Sequence, residues 1–266
     1  MEMSVHKLDH DLYCFTQSRL PVCISVDAYL VLGSQRCLLI DCLMLRCNLY
    51  QQIREITDLP LDVLITHGHP DHAGMETKSL YEHGAKIYMN KEDYVLLASY
   101  GDEETFGEEK AEYQASWFTD IHEDMSIDLG DKQIMLCKTP GHSPGCIIAV
   151  DQLGKRIFCG DTYGSGEISM QWDTSLALHR LIPAIETAES FIMSDTSWSL
   201  HPGHRFQCPN GIGLTYLHDL KSGVERLISG KQAGCPHSMI IHGKPLDYRI
   251  ANCGEVYRLC YNDQKL

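Results

Sequence analysis

Basic residues are scarce in this chain: 22 Lys and Arg stand against 36 Asp and Glu, a formal net charge of −14 over 266 residues. Such a balance repels phosphate backbones, and no Lys/Arg cluster overrides it, so nucleic acid is excluded as a partner. Any run of about 18 apolar residues is also missing, which leaves nothing to span a membrane. The start, Met1-Glu2-Met3-Ser4-Val5-His6, has neither a basic beginning nor an apolar core and does not read as a secretory signal. Twelve cysteines are present, yet none forms a CxxC pair and no zinc-ribbon spacing occurs. Cys14, Cys37, Cys137, Cys146 and Cys159 lie among apolar, strand-like residues, where a free thiol acts as a small hydrophobe. Together these absences point to a cytoplasmic protein with reduced thiols.

What is present is concentrated in one stretch. The apolar run Leu61 to Ile65 reads as a buried strand and empties into Thr66-His67-Gly68-His69-Pro70-Asp71-His72. Side chains two apart in an extended segment share a face, so His67 and His69 can reach one cation together. Pro70 stops the strand. Asp71 and His72 then turn towards a helix-like stretch, 74–83, where they can face a second cation. Imidazole and carboxylate donors suit zinc, iron and similar ions, held at about 2.0–2.2 Å for zinc. A single loop histidine would read as a polar cap; HxHxDH directly after an apolar strand reads as a ligand set.

Around this stretch the chain alternates short apolar runs with helical periods. Strand patterns occupy 11–15, 26–32 and 36–41, with a turn at Gly33-Ser34. A helix over 47–57 puts Leu49, Ile53 and Ile56 on one face, and helices at 74–83 and 91–99 flank a strand at 85–89. The acidic segment 101–113 reads as a solvated surface. Strands at 133–138, 146–151 and 156–159 follow, then a helix over 175–190. A loop leads to His201-Pro202-Gly203-His204, then come a helix over 212–229 and a last strand pair within 246–260.

His67-x-His69-x-Asp71-His72, His142 within Thr-Pro-Gly-His, Asp161 after Gly160 and His204 within Pro-Gly-His stand in the order and spacing of the metallo-β-lactamase superfamily, which the chain resembles from about residue 10 to 210. The resemblance implies a four-layer αββα sandwich, an α/β fold of two mixed sheets flanked by helices. It implies two divalent metal ions, zinc first, with iron or manganese suited by the same donors. His67, His69 and His142 would hold one; Asp71, His72 and His204 the other; Asp161 would bridge them. His201 is the rival of His204, and the match favours His204. His237 and His242 match no ligand position. Because these ligands come from both halves, a single domain, 1–266, is expected.

Two close cations lower the pKa of a bridging water, so hydroxide exists near neutral pH, and no serine or cysteine nucleophile is required. Asp71 could orient that nucleophile or carry its proton to the leaving group. Tyr163, two residues after Asp161, could bond the substrate oxyanion, although a packed loop tyrosine is the plainer reading. Trp172, Met170 and the Pro21-Val22-Cys23 loop could line a pocket or belong to the core. All-His/Asp ligation resembles the thioesterase (glyoxalase II-like) and lactonase branches, whereas true β-lactamases of the family carry a cysteine ligand and an export signal. The expected activity is hydrolysis of a small ester, thioester or lactone. A phosphodiesterase, favoured by Arg205 or Lys138 beside the metals, is one alternative; a metal-loaded small-molecule sensor is the other. The sequence is silent on oligomeric state.

Overall fold

A computed structural model describes residues 2–18, 20, 25–99, 111–193, 195–205, 213–241, 244–254 and 257–266. The chain divides into two compact units, Met1–Cys137 with Ala149–Gly154, and Lys138–Ile148 with Lys155–Leu266.

Unit 1 is built on a seven-stranded sheet in sequence order: β1 (Glu2–Asp9), β2 (Leu12–Ser18), β3 (Ser25–Leu32), β4 (Cys37–Ile40), β5 (Leu61–Leu64), β6 (Lys86–Met89) and β7 (Phe118–Asp120). Strands β1 to β4 pair antiparallel and β4 to β7 parallel. Parallel neighbours need a crossover. Three short helices lie in these crossovers: α1 (Leu49–Arg54), α2 (Glu76–Glu82) and α3 (Tyr94–Ser99). Every residue of β4 and β5 is buried, as expected of strands covered on both faces. Asp62, the one charge in β5, is neutralised by two 2.7 Å bonds from Arg36. Phe15, Leu30, Leu39, Val63, Leu80, Ile87 and Leu97 belong to the core. Because β4 and β5 are parallel, with Ile40 opposite Leu64, Asp41 and the Thr66-His67 turn leave the sheet at adjacent carboxyl ends. Open α/β sheets place their ligands there. An antiparallel pair, β8 (Ser126–Asp128) and β9 (Gln133–Lys138), follows. β10 (Ile147–Asp151) starts in unit 2 and ends in unit 1.

Unit 2 contains β11 (Arg156–Gly160), β12 (Glu167–Met170) and β13 (Ser199–Pro202), with β11 and β13 parallel and Phe158 opposite His201. β12 opens a four-stranded sheet that continues through β16 (Arg258–Tyr261) and β15 (Lys244–Asn252) to β14 (Cys235–Ile241). Helix α4 (Leu181–Ile192) packs on α5 (Leu214–Ile228), burying Leu181, Ile185, Leu217, Leu220 and Val224.

Most expected elements are present within a few residues of their expected bounds. The helix expected over 175–190 instead begins at Leu181, after a 3-10 turn at Leu178–Arg180. Residues just before it are engaged elsewhere: Leu176 N–H bonds the Gly141 carbonyl at 2.8 Å and Ser175 Oγ the His142 carbonyl at 2.9 Å. Strands β1, β7, β8, β12, β13 and β14 go beyond the set expected from the sequence. The Pro21-Val22-Cys23 loop, residues 101–110 of the acidic segment and His242 lie outside the described residues. All ten described cysteines are free thiols. Burial pushes the Cys37 and Cys253 thiols up to about 11 and that of Cys47 to about 12, which makes them poor nucleophiles. Among the described residues no helix is long and apolar enough to cross a membrane.

Candidate metal centre

In unit 1, His67, His69, Asp71 and His72 all fall in the turn that follows β5. The histidines are buried and Asp71 is partly exposed. His67 Nε2 and His69 Nδ1 face each other at 3.1 Å. Two nitrogens at about 2.1 Å from a tetrahedral zinc stand about 3.4 Å apart, so this pair fits one cation. Asp71 Oδ2 lies 3.8 Å from His72 Nε2.

The far sides of two of these rings are held by unit 1 itself. Asp41, buried at the end of β4, accepts from Thr66 N–H at 2.8 Å, Thr66 Oγ1 at 2.9 Å and His72 Nδ1 at 2.7 Å. With Nδ1–H donated to a carboxylate, His72 carries its lone pair on Nε2. Thr66 Oγ1, already a donor to Asp41, accepts from His67 Nδ1 at 3.2 Å, which puts the lone pair of His67 on Nε2. Asp41 adopts φ 64° and Leu43 φ 62°, a left-handed backbone that non-glycine residues rarely hold. A second buried carboxylate, Asp93 ahead of α3, accepts from Gly68 N–H at 2.8 Å. A Cβ on Gly68 would stand 2.6 Å from the Asp93 carbonyl oxygen, so only glycine passes between His67 and His69 there.

Unit 2 brings His142, Asp161 and His204 together. His142 Nδ1–H donates to the Ser169 carbonyl at 2.5 Å, and its Nε2 lies 3.7 Å from Asp161 Oδ2. The same oxygen is 3.3 Å from His204 Nε2. One carboxylate oxygen thus faces two imidazole nitrogens. His201 sits apart: its ring stacks on Phe158 with centroids 5.2 Å apart, and its Nε2 meets Ser199 Oγ at 2.9 Å. Burial, reinforced by the Arg156 and Arg205 charges, holds its pKa down at about 3. Tyr163 is wholly buried, Met170 lies in the core, and Trp172 is partly exposed.

Asp41 and Asp93 escape a reading of the sequence because each is one acid at the end of an apolar or turn segment. Their partners lie 25 to 31 residues away. No serine nucleophile is expected from the sequence, yet Gly141-His142-Ser143-Pro144-Gly145 does spell the G-x-S-x-G of serine hydrolases. That motif needs an exposed serine on a strand-to-helix elbow. Here the segment joins two strands, and Ser143 is fully buried with Oγ 3.1 Å from Cys146 Sγ.

A family model described as the metallo-beta-lactamase superfamily matches residues 22–204. A probable metallo-hydrolase of Bacillus subtilis (strain 168) is 28% identical over 154 residues, 56% of this chain and 72% of that protein. A hydroxyacylglutathione hydrolase of Haemophilus influenzae is 33% identical over 126 residues, covering 46% of this chain and 58% of that protein. An acyl-coenzyme A thioesterase of Gallus gallus is 28% identical over 163 residues, 53% of this chain and 59% of that protein. The chain therefore spans less than two thirds of these last two relatives. Among solved structures, a metallo-beta-lactamase from Pontibacter korlensis superimposes with a TM-score of 0.63 at 16% identity, over 84% of this chain and 99% of that one. At that identity the likeness speaks for the fold alone. The chain belongs to the metallo-β-lactamase superfamily, and its fold is the one expected from the sequence.

Proposed function

We propose that this member of the superfamily is a dinuclear-metal hydrolase of a small thioester, with esters and lactones as the neighbouring classes. The observation that carries the reading is the orientation of three buried imidazoles. His67, His72 and His142 each give Nδ1 to a protein oxygen (Thr66 Oγ1, Asp41 Oδ2 and the Ser169 carbonyl), which leaves each Nε2 as a ligand atom. The hydroxyacylglutathione hydrolase and acyl-coenzyme A thioesterase relatives favour a thioester among the carbonyl substrates.

In this reading His67, His69 and His142 would hold one metal, Asp71, His72 and His204 would hold the other, and Asp161 would serve both. The donor set of imidazole and carboxylate fits zinc, iron or manganese, with zinc the first choice. When bound, a pair of such cations acidifies water and stabilises the negative charge that develops on a carbonyl oxygen. Asp41 and Asp93 keep the histidine turn in place while substrate and product exchange. Asp71, the partly exposed acid of the group, accepts the proton of the attacking water on its carboxylate. It then delivers that proton to the leaving thiolate as the C–S bond breaks. Tyr163 is a lesser candidate, acting through its phenol on the substrate oxyanion. Free thiols throughout the described residues favour a reducing, cytoplasmic setting.

The test is hydrolysis by metal-replete protein of thioesters, lactones, simple esters, a β-lactam and a phosphodiester, with Asp71→Asn as control. Turnover of thioesters, lost in the control, supports the reading. Turnover confined to the phosphodiester, or silence across the panel with two metals bound, contradicts it.

A further inference from the structure

Between β4 and α1 the chain runs from Asp41 to Asn48 without regular secondary structure, so its backbone groups must find partners elsewhere. The first two are taken by unit 1 backbone: Asp41 N–H donates to the Leu64 carbonyl at 2.8 Å and Cys42 N–H to the His72 carbonyl at 2.6 Å. Further on, two buried side chains take over. Gln17 in β2 accepts on Oε1 from Met44 N–H at 3.1 Å and Leu45 N–H at 3.0 Å, and its Nε2 donates to the Leu45 carbonyl at 2.6 Å. Glu76, the first residue of α2, accepts on Oε1 from Cys47 N–H at 2.7 Å and Asn48 N–H at 3.0 Å.

Gln17 is wholly buried in a strand, a place that ordinarily takes an apolar side chain. Its three bonds need one group that accepts twice and donates once, which a side-chain amide does. A carboxylate there would set an oxygen against the Leu45 carbonyl. The segment that Gln17 holds lies directly on the histidine turn. A Cβ on Gly74 would stand 2.0 Å from the Leu43 carbonyl oxygen and 2.3 Å from that of Met44, and Met75 N–H donates to the Met44 carbonyl at 3.0 Å. His72 is gripped at two points by the consecutive residues that lead into this segment: its ring by Asp41 Oδ2 at 2.7 Å and its carbonyl by Cys42 N–H.

We infer that Gln17 is a positioning residue for His72. By fixing Met44 and Leu45 it holds Asp41 and Cys42 against the histidine turn, and so sets where His72 Nε2 points. The inference rests on the two-metal reading and adds to it a residue that touches neither a candidate ligand nor Asp41.

Gln17→Glu keeps the side-chain shape and the two accepted bonds, whereas Gln17→Leu removes all three. Thermal melts check that each variant folds. Zinc is then withdrawn from the loaded protein by graded amounts of a chromophoric chelator, and the histidine ring nitrogens are followed by NMR. The step that shifts the His72 ring nitrogens is expected to weaken about tenfold in each variant, with the other step within about twofold of wild type. A purely structural role for Gln17 would lower the melting temperature and leave both steps of the folded protein alike. Two steps equal to wild type, or both weakened in parallel, overturns the inference. Should neither variant fold, hydrogen exchange on wild type decides, because coupling between the segment and the ion is reciprocal. The Met44 and Leu45 amides are expected to exchange about tenfold more slowly once the ion on His72 is bound; equal rates with and without it overturn the inference. If wild type binds one ion only, the two-metal reading fails by itself. The His72 ring nitrogens of the metal-free variants then decide: resonances displaced from wild type uphold the positioning role, and identical ones overturn it.

Discussion

In unit 1 the candidate ligands are packed into one turn, His67 to His72, and are braced from outside by two buried carboxylates, Asp41 and Asp93. In unit 2 the candidate ligands His142, Asp161 and His204 come from three separate loops, and the acid, Asp161, lies among the candidates themselves. His142 there is held by the Ser169 carbonyl on Nδ1 and by the Ser175 hydroxyl, which donates to the His142 carbonyl. The difference shows two ways of fixing a ligand. In unit 1 a side chain orients each braced ring, the neighbouring Thr66 for His67 and the distant Asp41 for His72. In unit 2 a backbone carbonyl of β12 orients His142, and one carboxylate, Asp161, faces both His142 and His204.

The sharpest way to break this contrast is at the shared carboxylate. Asp161→Ala should lower metal affinity and turnover together by more than about a hundredfold, since a direct ligand outweighs its outer partners. Retention of two metals per chain in that variant would remove Asp161 from the bridge. Asp41→Asn should cost less, about 10–100-fold in metal affinity, because it frees His72 to change tautomer without removing a ligand. Affinity equal to wild type would mean that the ring is fixed by packing alone.

Gly68→Ala tests the brace through sterics. The added Cβ meets the Asp93 carbonyl oxygen at 2.6 Å, and overpacking of this kind costs about 1–3 kcal/mol. Chemical denaturation should read that loss; a variant as stable as wild type would show that the turn can move.

His201 probes unit 2 away from the candidate metal ligands. Its pKa of about 3 in the fold lies below the ordinary value of about 6.5, so the folded protein holds the neutral ring. Below pH of about 6.5 the unfolded chain takes up the proton first, and stability is lost as pH falls towards about 3. His201→Gln should flatten that part of the acid profile in melts between pH 7 and 5, with metal content unchanged. Loss of one metal equivalent would make His201, in place of His204, a ligand. The smallest effect is expected from Tyr163→Phe, a few-fold fall in kcat with both metals kept; unchanged kinetics would return this buried phenol to the core.

The same contrast governs how much of the fold and the site is legible in the sequence. The unit 1 candidate ligands are legible because HxHxDH is a local pattern after the buried strand β5, with the period of two that an extended chain imposes. His142, Asp161 and His204 are legible only as an ordered set resembling a family, because each alone is an ordinary loop residue. Asp41 and Asp93 are not legible, since their role exists only once β4 and α3 are brought against the histidine turn. Among the strands, β14 escapes because its first residues, Cys235 to Ser238, are exposed and show no apolar alternation. The helix at 181–192 starts later than its sequence pattern suggests, because the residues ahead of it have helical propensity but bond the His142 loop.

The claim on which the account stands is that both units contribute to one two-metal centre. Its most direct test is titration of the metal-free protein with cobalt(II), followed by electron paramagnetic resonance. The account predicts saturation at two ions per chain, with the signal of the first ion quenched by spin coupling as the second binds, and coupling abolished by Asp161→Ala. Saturation at one ion, or a signal that grows in simple proportion through two, would contradict it.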